Sequence, residues 1–168
     1  MRIAEAGCER GRVATTTHLA GALALGYGAR PEEDTVSQLT TDDRVAIAEI
    51  MAAYCHAIDR GQWDVLPGLF TEDCRLDFGD LMGVFEGHDG VRRFADTLKG
   101  IGLLMRHYST NLVLRGEGER AHAESYVLAV TGTPGSSSQT TGLYDDELVK
   151  TGGRWRIRVR RALLDRPA

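Results

Sequence analysis

The hydrophobic spacing of this chain changes along its length, and this change restricts the fold more than any other feature. Between residues 40 and 100, apolar side chains recur mainly three or four positions apart, which indicates the buried side of amphipathic helices. From residue 108 to residue 164 they alternate with polar side chains, which indicates strands with one buried face. Helices followed by antiparallel strands predict an α+β fold, and a curved sheet wrapped around a helix leaves an interior cavity.

Three helices and one hairpin are predicted in the first part of the domain. The first helix is capped by Thr40 or Thr41 and stops at Gly61. Its buried stripe comprises Ile47, Ile50, Met51, Tyr54 and Ile58. A shorter helix is expected over residues 62–70 and a third over residues 88–100, with a hairpin of residues 74–78 and 84–85 between them.

Four long strands are predicted over residues 108–114, 121–131, 139–150 and 154–164, with turns between them. The last strand alternates most clearly. Trp155, Ile157 and Val159 share one face. The opposite face carries Arg154, Arg156, Arg158 and Arg160, and we expect this arginine row to be a solvated outer surface.

Composition narrows the classes of partner. The chain has 20 basic and 24 acidic side chains and a formal net charge of −4, which argues against nucleic acid. Its apolar stretches fall short of the about 18 residues that a transmembrane helix needs, so no membrane partner is expected. Cys8, Cys55 and Cys74 have no metal-ligand spacing, which predicts reduced thiols and a cytoplasmic location.

The chain divides into an extension and a domain. Residues 1–39 show no sustained hydrophobic period and are predicted to form a mobile N-terminal extension, with room for a short helix at residues 17–25. Residues 40–168 form the predicted domain.

Acid/base chemistry is the class that the motifs leave open. Nucleotide-binding, zincin and serine-hydrolase motifs are absent, and no metal or cofactor is expected. The candidate side chains are Tyr54, His56 and Asp59 near the end of the first helix, His107 and Tyr108 at the start of a strand, and Tyr144 on a later strand. A carboxylate at a helix C-terminus opposes the helix dipole, so Asp59 needs a partner.

Several segments, taken in order, also carry a family resemblance. They are Tyr54-Cys-His-Ala-Ile-Asp59-Arg-Gly-Gln-Trp63-Asp, Leu69-Phe70-Thr-Glu-Asp73, Phe85-Glu-Gly87, Arg106-His107-Tyr108-Ser-Thr-Asn111-Leu, Gly142-Leu-Tyr144 and Gly153-Arg-Trp155-Arg-Ile157. Together they resemble SnoaL-like proteins of the nuclear transport factor 2 superfamily. The resemblance implies a cone built from a bent antiparallel sheet and three helices around a deep pocket.

Within that superfamily, Asp59 and the segment that starts at His107 most resemble the scytalone dehydratase, bile-acid dehydratase and hexachlorocyclohexane dehydrochlorinase branch. By this resemblance, His107 removes a proton from a substrate carbon and Asp59 accepts the other ring N–H. Tyr54 would donate a hydrogen bond to a substrate oxygen, and Tyr144 would take a similar role. The further predicted substrate-binding residues are Trp63, Phe85, Tyr108 and Asn111.

The function expected is therefore a cofactor-independent dehydratase-type lyase that acts on a small cyclic lipophilic substrate, such as a polyketide or steroid-like compound. Two alternatives stay open: an isomerase or polyketide cyclase with the same base, and a non-catalytic ligand-binding or assembly protein. The sequence also departs from its neighbours, because residues 126–131 contain no second catalytic histidine. A homodimer or larger homo-oligomer is implied by the resemblance alone.

Overall fold

A computed structural model describes residues 38–165 of the chain. In chain order, the elements are α1 (Thr41–Asp59), a 3₁₀ helix (Trp63–Leu69), β1 (Phe70–Asp77), β2 (Val84–Glu86), α2 (Gly87–Ile101), β3 (Leu104–Glu117), β4 (Arg120–Thr133), β5 (Ser136–Thr151) and β6 (Arg154–Leu164). The α+β class and the three helices are confirmed. Within the described residues, no helix is long and apolar enough to cross a membrane.

The six strands form one curved, unclosed sheet in the order β2-β1-β6-β5-β4-β3. Neighbouring strands are antiparallel, as expected, except that β1 and β6 run parallel. The chain returns to β1 only after α2 and four intervening strands, and β6 then runs in the same direction as β1. The inner sheet face packs against α1 and α2, and the core lies between them.

The start of α1 is fixed by Asp43. Thr40 is the N-cap, and its hydroxyl and the Asp43 carboxylate form a capping box. The same carboxylate accepts hydrogen bonds from Lys150 Nζ at 2.8 Å and from Trp155 Nε1 at 2.9 Å. The bonds from Lys150, Thr40 and Trp155 hold the pKa of Asp43 well below its usual range. One carboxylate therefore joins α1 to the β5–β6 turn.

Close packing at the start of α2 depends on a glycine. A Cβ atom added to Gly90 would lie 2.8 Å from the backbone carbonyl carbon of Phe85, whereas one added to Gly100 would meet nothing within 4 Å. Phe85 in turn packs edge-on against Phe94 of α2, with ring centroids 5.5 Å apart. Gly90 thus lets α2 approach β2 closely.

A β-bulge in β6 overturns part of the arginine-row prediction. Leu148 pairs with Ile157 while Glu147 pairs with Val159, so Arg158 is an extra residue on β6. An inserted residue moves every later side chain to the other sheet face. Arg154 and Arg158 are exposed as expected, but Arg160 is fully buried.

The boundary of the domain and the thiols can also be compared with expectation. Gln38 forms a β-bridge with Glu117, and Leu39 is buried, so the domain begins before Thr40. The predicted extension up to residue 37, its short helix and Cys8 lie outside the described residues. Cys55 and Cys74 are free and buried, as predicted, and burial raises the pKa of each thiol to about 11.

Candidate functional site

Asp59 and His107 form a hydrogen-bonded pair. His107 Nδ1 lies 2.7 Å from Asp59 Oδ1, and the His107 backbone N–H donates to Asp59 Oδ2 at 2.9 Å. Because a carboxylate only accepts, Nδ1 carries the hydrogen. The side chains are 11% and 8% exposed, so the pair is largely screened from water. This arrangement fixes the orientation and the tautomer of the imidazole, and leaves Nε2 with a lone pair.

The ends of two elements bring this pair together. Asp59 is the last residue of α1, and His107 lies near the start of β3 on the sheet face that meets the helices. Arg106, the neighbour of His107, donates from Nη1 to the backbone carbonyl of Asp59 at 3.0 Å and so satisfies an orphan acceptor at the helix end. The partner that Asp59 needed at this position is thus supplied by β3.

A cavity of about 380 Å³ opens beside His107. Its walls come from α1, α2, the β1–β2 loop and the inner faces of β3 to β6. They are mostly apolar, and they include Ile58, Phe78, Phe94, Leu98, Met105, Val127, Ala129, Ala162 and Leu164. His107 lines the cavity and Asp59 does not, so the carboxylate lies behind the ring and Nε2 is the nitrogen available to a bound molecule.

Two tyrosines contribute polar groups to the same cavity. Tyr54 and Tyr144 both line it, although they are only 1% and 4% exposed. Burial raises the pKa of both hydroxyls well above the usual range, so both stay protonated at neutral pH. Their rings meet edge to face with centroids 6.0 Å apart. Each hydroxyl is therefore a hydrogen-bond donor.

A buried ion pair lies against these tyrosines. Arg160 donates from Nε and Nη2 to Asp146 at 2.7 and 2.8 Å, and both side chains are 0% exposed. Sequence reasoning missed this pair. Either phase of alternation in β6 would bury one arginine, Arg160 or Arg161, so the sequence indicates a need for an acidic partner but does not say which arginine is inside.

Four of the predicted substrate-binding residues lie away from the cavity. Tyr108 is 54% exposed on the opposite sheet face, because it follows His107 directly in β3. Asn111 is exposed at a bulge with a left-handed φ of 55°. Phe85 packs behind Phe78 and Phe94, one layer outside the wall. Trp63 in the 3₁₀ helix is partly exposed, near Lys99.

These four residues do not line the cavity, whereas Tyr54, His107 and Tyr144 do. The other described histidines lie elsewhere. His122 Nε2 contacts Asp145 at 3.1 Å on the outer sheet face, and His88 Nε2 contacts the carbonyl of Phe70 at 3.2 Å. Among residues 38–165, no group of three or more His, Cys, Asp or Glu side chains is placed to hold a metal ion.

Comparisons with known proteins agree on a family. The family model described as a SnoaL-like domain matches residues 39–161. The uncharacterised protein Rv2910c of Mycobacterium tuberculosis is 27% identical over 129 residues, which span 75% of this chain and 88% of the relative.

Two similar solved structures come from Novosphingobium aromaticivorans. One, described as an aromatic ring hydroxylase, is 30% identical with a TM-score of 0.69 and covers 77% of this chain and 94% of its own. The other, described as a scytalone dehydratase, is 26% identical with a TM-score of 0.64 and covers 74% and 85%.

Proposed function

Since this chain belongs to the SnoaL-like family, we propose that it is a cofactor-independent lyase of the dehydratase type, with His107 as general base. The observation that carries the proposal is the Asp59–His107 pair, because its Nδ1 bond orients a free Nε2 toward an apolar cavity. A related structure described as a scytalone dehydratase supports the same class of reaction.

In the proposed reaction, His107 Nε2 accepts a proton from a substrate carbon next to a carbonyl group. The electron pair of that C–H bond forms a new C=C bond, and the bond from the neighbouring carbon to its hydroxyl group breaks. The hydroxyl takes the proton back from the imidazolium and leaves as water. Asp59 stabilises the imidazolium in between, while Tyr54 and Tyr144 donate hydrogen bonds to substrate oxygens.

The cavity favours an uncharged substrate of one or two rings. Its described lining contains no Asp, Glu, Lys or Arg side chain, and its polar members are His107, the two tyrosines, Thr131 and Thr140. An ionised substrate would have to lose its hydration there without a charged partner, which costs several kcal/mol or more. The volume lies near the lower end of the range of about 300–1,000 Å³ for small-molecule sites.

Exchange of substrate protons tests the general base without knowledge of the natural substrate. A neutral cyclic ketone, 1-tetralone, is incubated with the protein in deuterated water, and loss of its α-proton signals is followed by NMR. We expect His107→Ala to abolish the enzyme-dependent exchange. His122→Ala is the matched control, because that histidine also contacts a carboxylate but lies on the outer sheet face.

If wild type and His107→Ala accelerate the exchange equally above the protein-free rate, His107 is not the base. With β-hydroxy ketone substrates, a product of unchanged mass would replace the lyase by an isomerase or cyclase. A protein that binds such compounds but catalyses neither exchange nor turnover would be a binding or assembly protein. A neighbour of similar identity carries a different description, that of an aromatic ring hydroxylase, and this supports testing the alternatives alongside the lyase.

We also propose that the protein forms a homodimer through the outer face of its sheet. Tyr126 and Leu163 on that face are 59% and 52% exposed. Tyr126 pairs with Leu143, and Leu143 pairs with Leu163, so the three form an apolar row across β4, β5 and β6. Tyr108 on β3 extends the exposed patch. Contiguous apolar surface of this kind marks an interaction site.

A further inference from the structure

The attraction between Arg160 and Asp146 is largely offset by the free-energy cost of removing both charges from water, so the pair adds little net stability. Both side chains have lost all contact with water, and two parallel hydrogen bonds join them. The desolvation of such a pair roughly cancels its attraction, and well-packed apolar residues in its place are often as stabilising. The contacts of the guanidinium indicate a different role for the pair.

The guanidinium packs against both tyrosines of the cavity. Its central carbon is 4.0 Å from the ring centroid of Tyr54 and 4.4 Å from that of Tyr144. Nη2 also contacts Met51 Sδ at 3.3 Å, and Nη1 has no hydrogen-bond partner within the described residues. Arg160 is thus a planar group that both aromatic rings contact, and Asp146 fixes its plane from the neighbouring strand.

The tyrosine hydroxyls depend on this arrangement. Both rings line the cavity. Tyr54 is held on α1 and Tyr144 on β5, and both rings contact Arg160, so the guanidinium helps to fix their relative position.

We propose that Arg160 and Asp146 are positioning residues that hold the hydroxyls of Tyr54 and Tyr144 as a donor pair for one uncharged acceptor oxygen of the ligand. The inference rests on the proposed function, since this oxygen would be the carbonyl whose neighbouring carbon faces His107. The ligand class that the donor pair selects is a neutral ketone or similar carbonyl compound. Asp146 also neutralises Arg160, so the donor pair carries no net charge that would attract a carboxylate.

The test compares two probes of the same skeleton, 1-tetralone and the hydrocarbon tetralin, by equilibrium binding to the full chain. We expect wild type to bind the ketone at least about fivefold more tightly than the hydrocarbon, which is the usual net effect of a neutral hydrogen bond. In the double variant Asp146→Leu/Arg160→Met, an apolar replacement of the pair, tetralin binding is expected to stay within about twofold while the ketone preference disappears.

Unfolding curves establish that the double variant is folded, and Arg160→Lys serves as a second variant that keeps the charge but not the planar fork. A merely structural role would weaken both probes equally, and this result would overturn the inference. It would also be overturned if wild type bound the ketone no more tightly than tetralin, or if the double variant kept the ketone preference. If the preference depends on Arg160 but no exchange depends on His107, the proposed function fails and the donor pair stands.

Discussion

Replacing Asp59 by asparagine gives a sharp test of the tautomer argument. In the structure, Asp59 accepts twice: Oδ2 from the His107 backbone N–H at 2.9 Å and Oδ1 from Nδ1 at 2.7 Å. Asparagine has only one oxygen, and its other group is an NH₂ donor. Because the backbone N–H requires an acceptor, the oxygen of Asn must face it. The NH₂ group then faces Nδ1.

This geometry reverses the tautomer of His107. Nδ1 must accept from the amide, so the ring hydrogen moves to Nε2 and the nitrogen that faces the cavity loses its lone pair. A charge-assisted hydrogen bond of about 1.5–3 kcal/mol favours the active tautomer in wild type, which is about 10- to 150-fold in population. Loss of this bias, its reversal and the missing imidazolium partner together predict a decrease in exchange rate of about 10⁴-fold, the size of the effect of the aspartate-to-asparagine change in serine proteases.

Two measurements check this prediction. Nitrogen NMR of labelled protein, with His107→Ala to assign the signals, reports which ring nitrogen carries the hydrogen, and needs no substrate. The proton-exchange rate with 1-tetralone reports the loss of activity. Retention of the hydrogen on Nδ1 in Asp59→Asn, or an exchange rate within tenfold of wild type, would refute the reasoning.

Three further predictions concern stability and assembly. Gly90→Ala is expected to destabilise the protein by at least about 1 kcal/mol in urea unfolding because its Cβ would meet backbone, whereas Gly100→Ala in the same helix should be neutral or stabilising by up to about 1 kcal/mol. The depressed pKa of Asp43 predicts stabilisation that is fully present above its ordinary pKa of about 3.9 and lost as pH falls through its lower folded value. Unfolding curves of Asp43→Asn should therefore lack this part of the acid dependence, and an unchanged dependence would contradict the assignment. Tyr126→Asp should halve the mass seen by light scattering, while Val45→Asp, an equally exposed change on α1, should not; a monomeric wild type would remove the dimer proposal.

Much of this fold could be predicted from hydrophobic periodicity, because helix stripes and strand alternation depend on local spacing. The pairing of Asp59 with His107 was also accessible, since a carboxylate at a helix end requires a partner and the family resemblance supplied one. Alternation alone could have shown that Tyr108 faces away from His107. The family model and the solved structures confirm the family and the fold, and the roles of the site residues stay proposals.

The remaining features depend on interactions that single-sequence spacing does not encode. The parallel pairing of β1 with β6 joins segments about eighty residues apart, and nothing local specifies its direction. The burial of Arg160 depends on one extra residue in β6, and the left-handed Asn111 belongs to a second irregularity, in β3. Each bulge reverses the faces of all later residues, so an error of one residue misplaces a whole half-strand.

The bulge at Arg158 has a consequence for how such a cavity evolves. Point substitutions change the size or polarity of one wall position at a time. Loss of the single codon for Arg158 would instead remove the extra residue, so that Val159 follows Ile157 in regular alternation and Arg160, Ala162 and Leu164 keep their places inside. A length change inside a strand, usually treated as damage, would here leave the cavity wall unchanged.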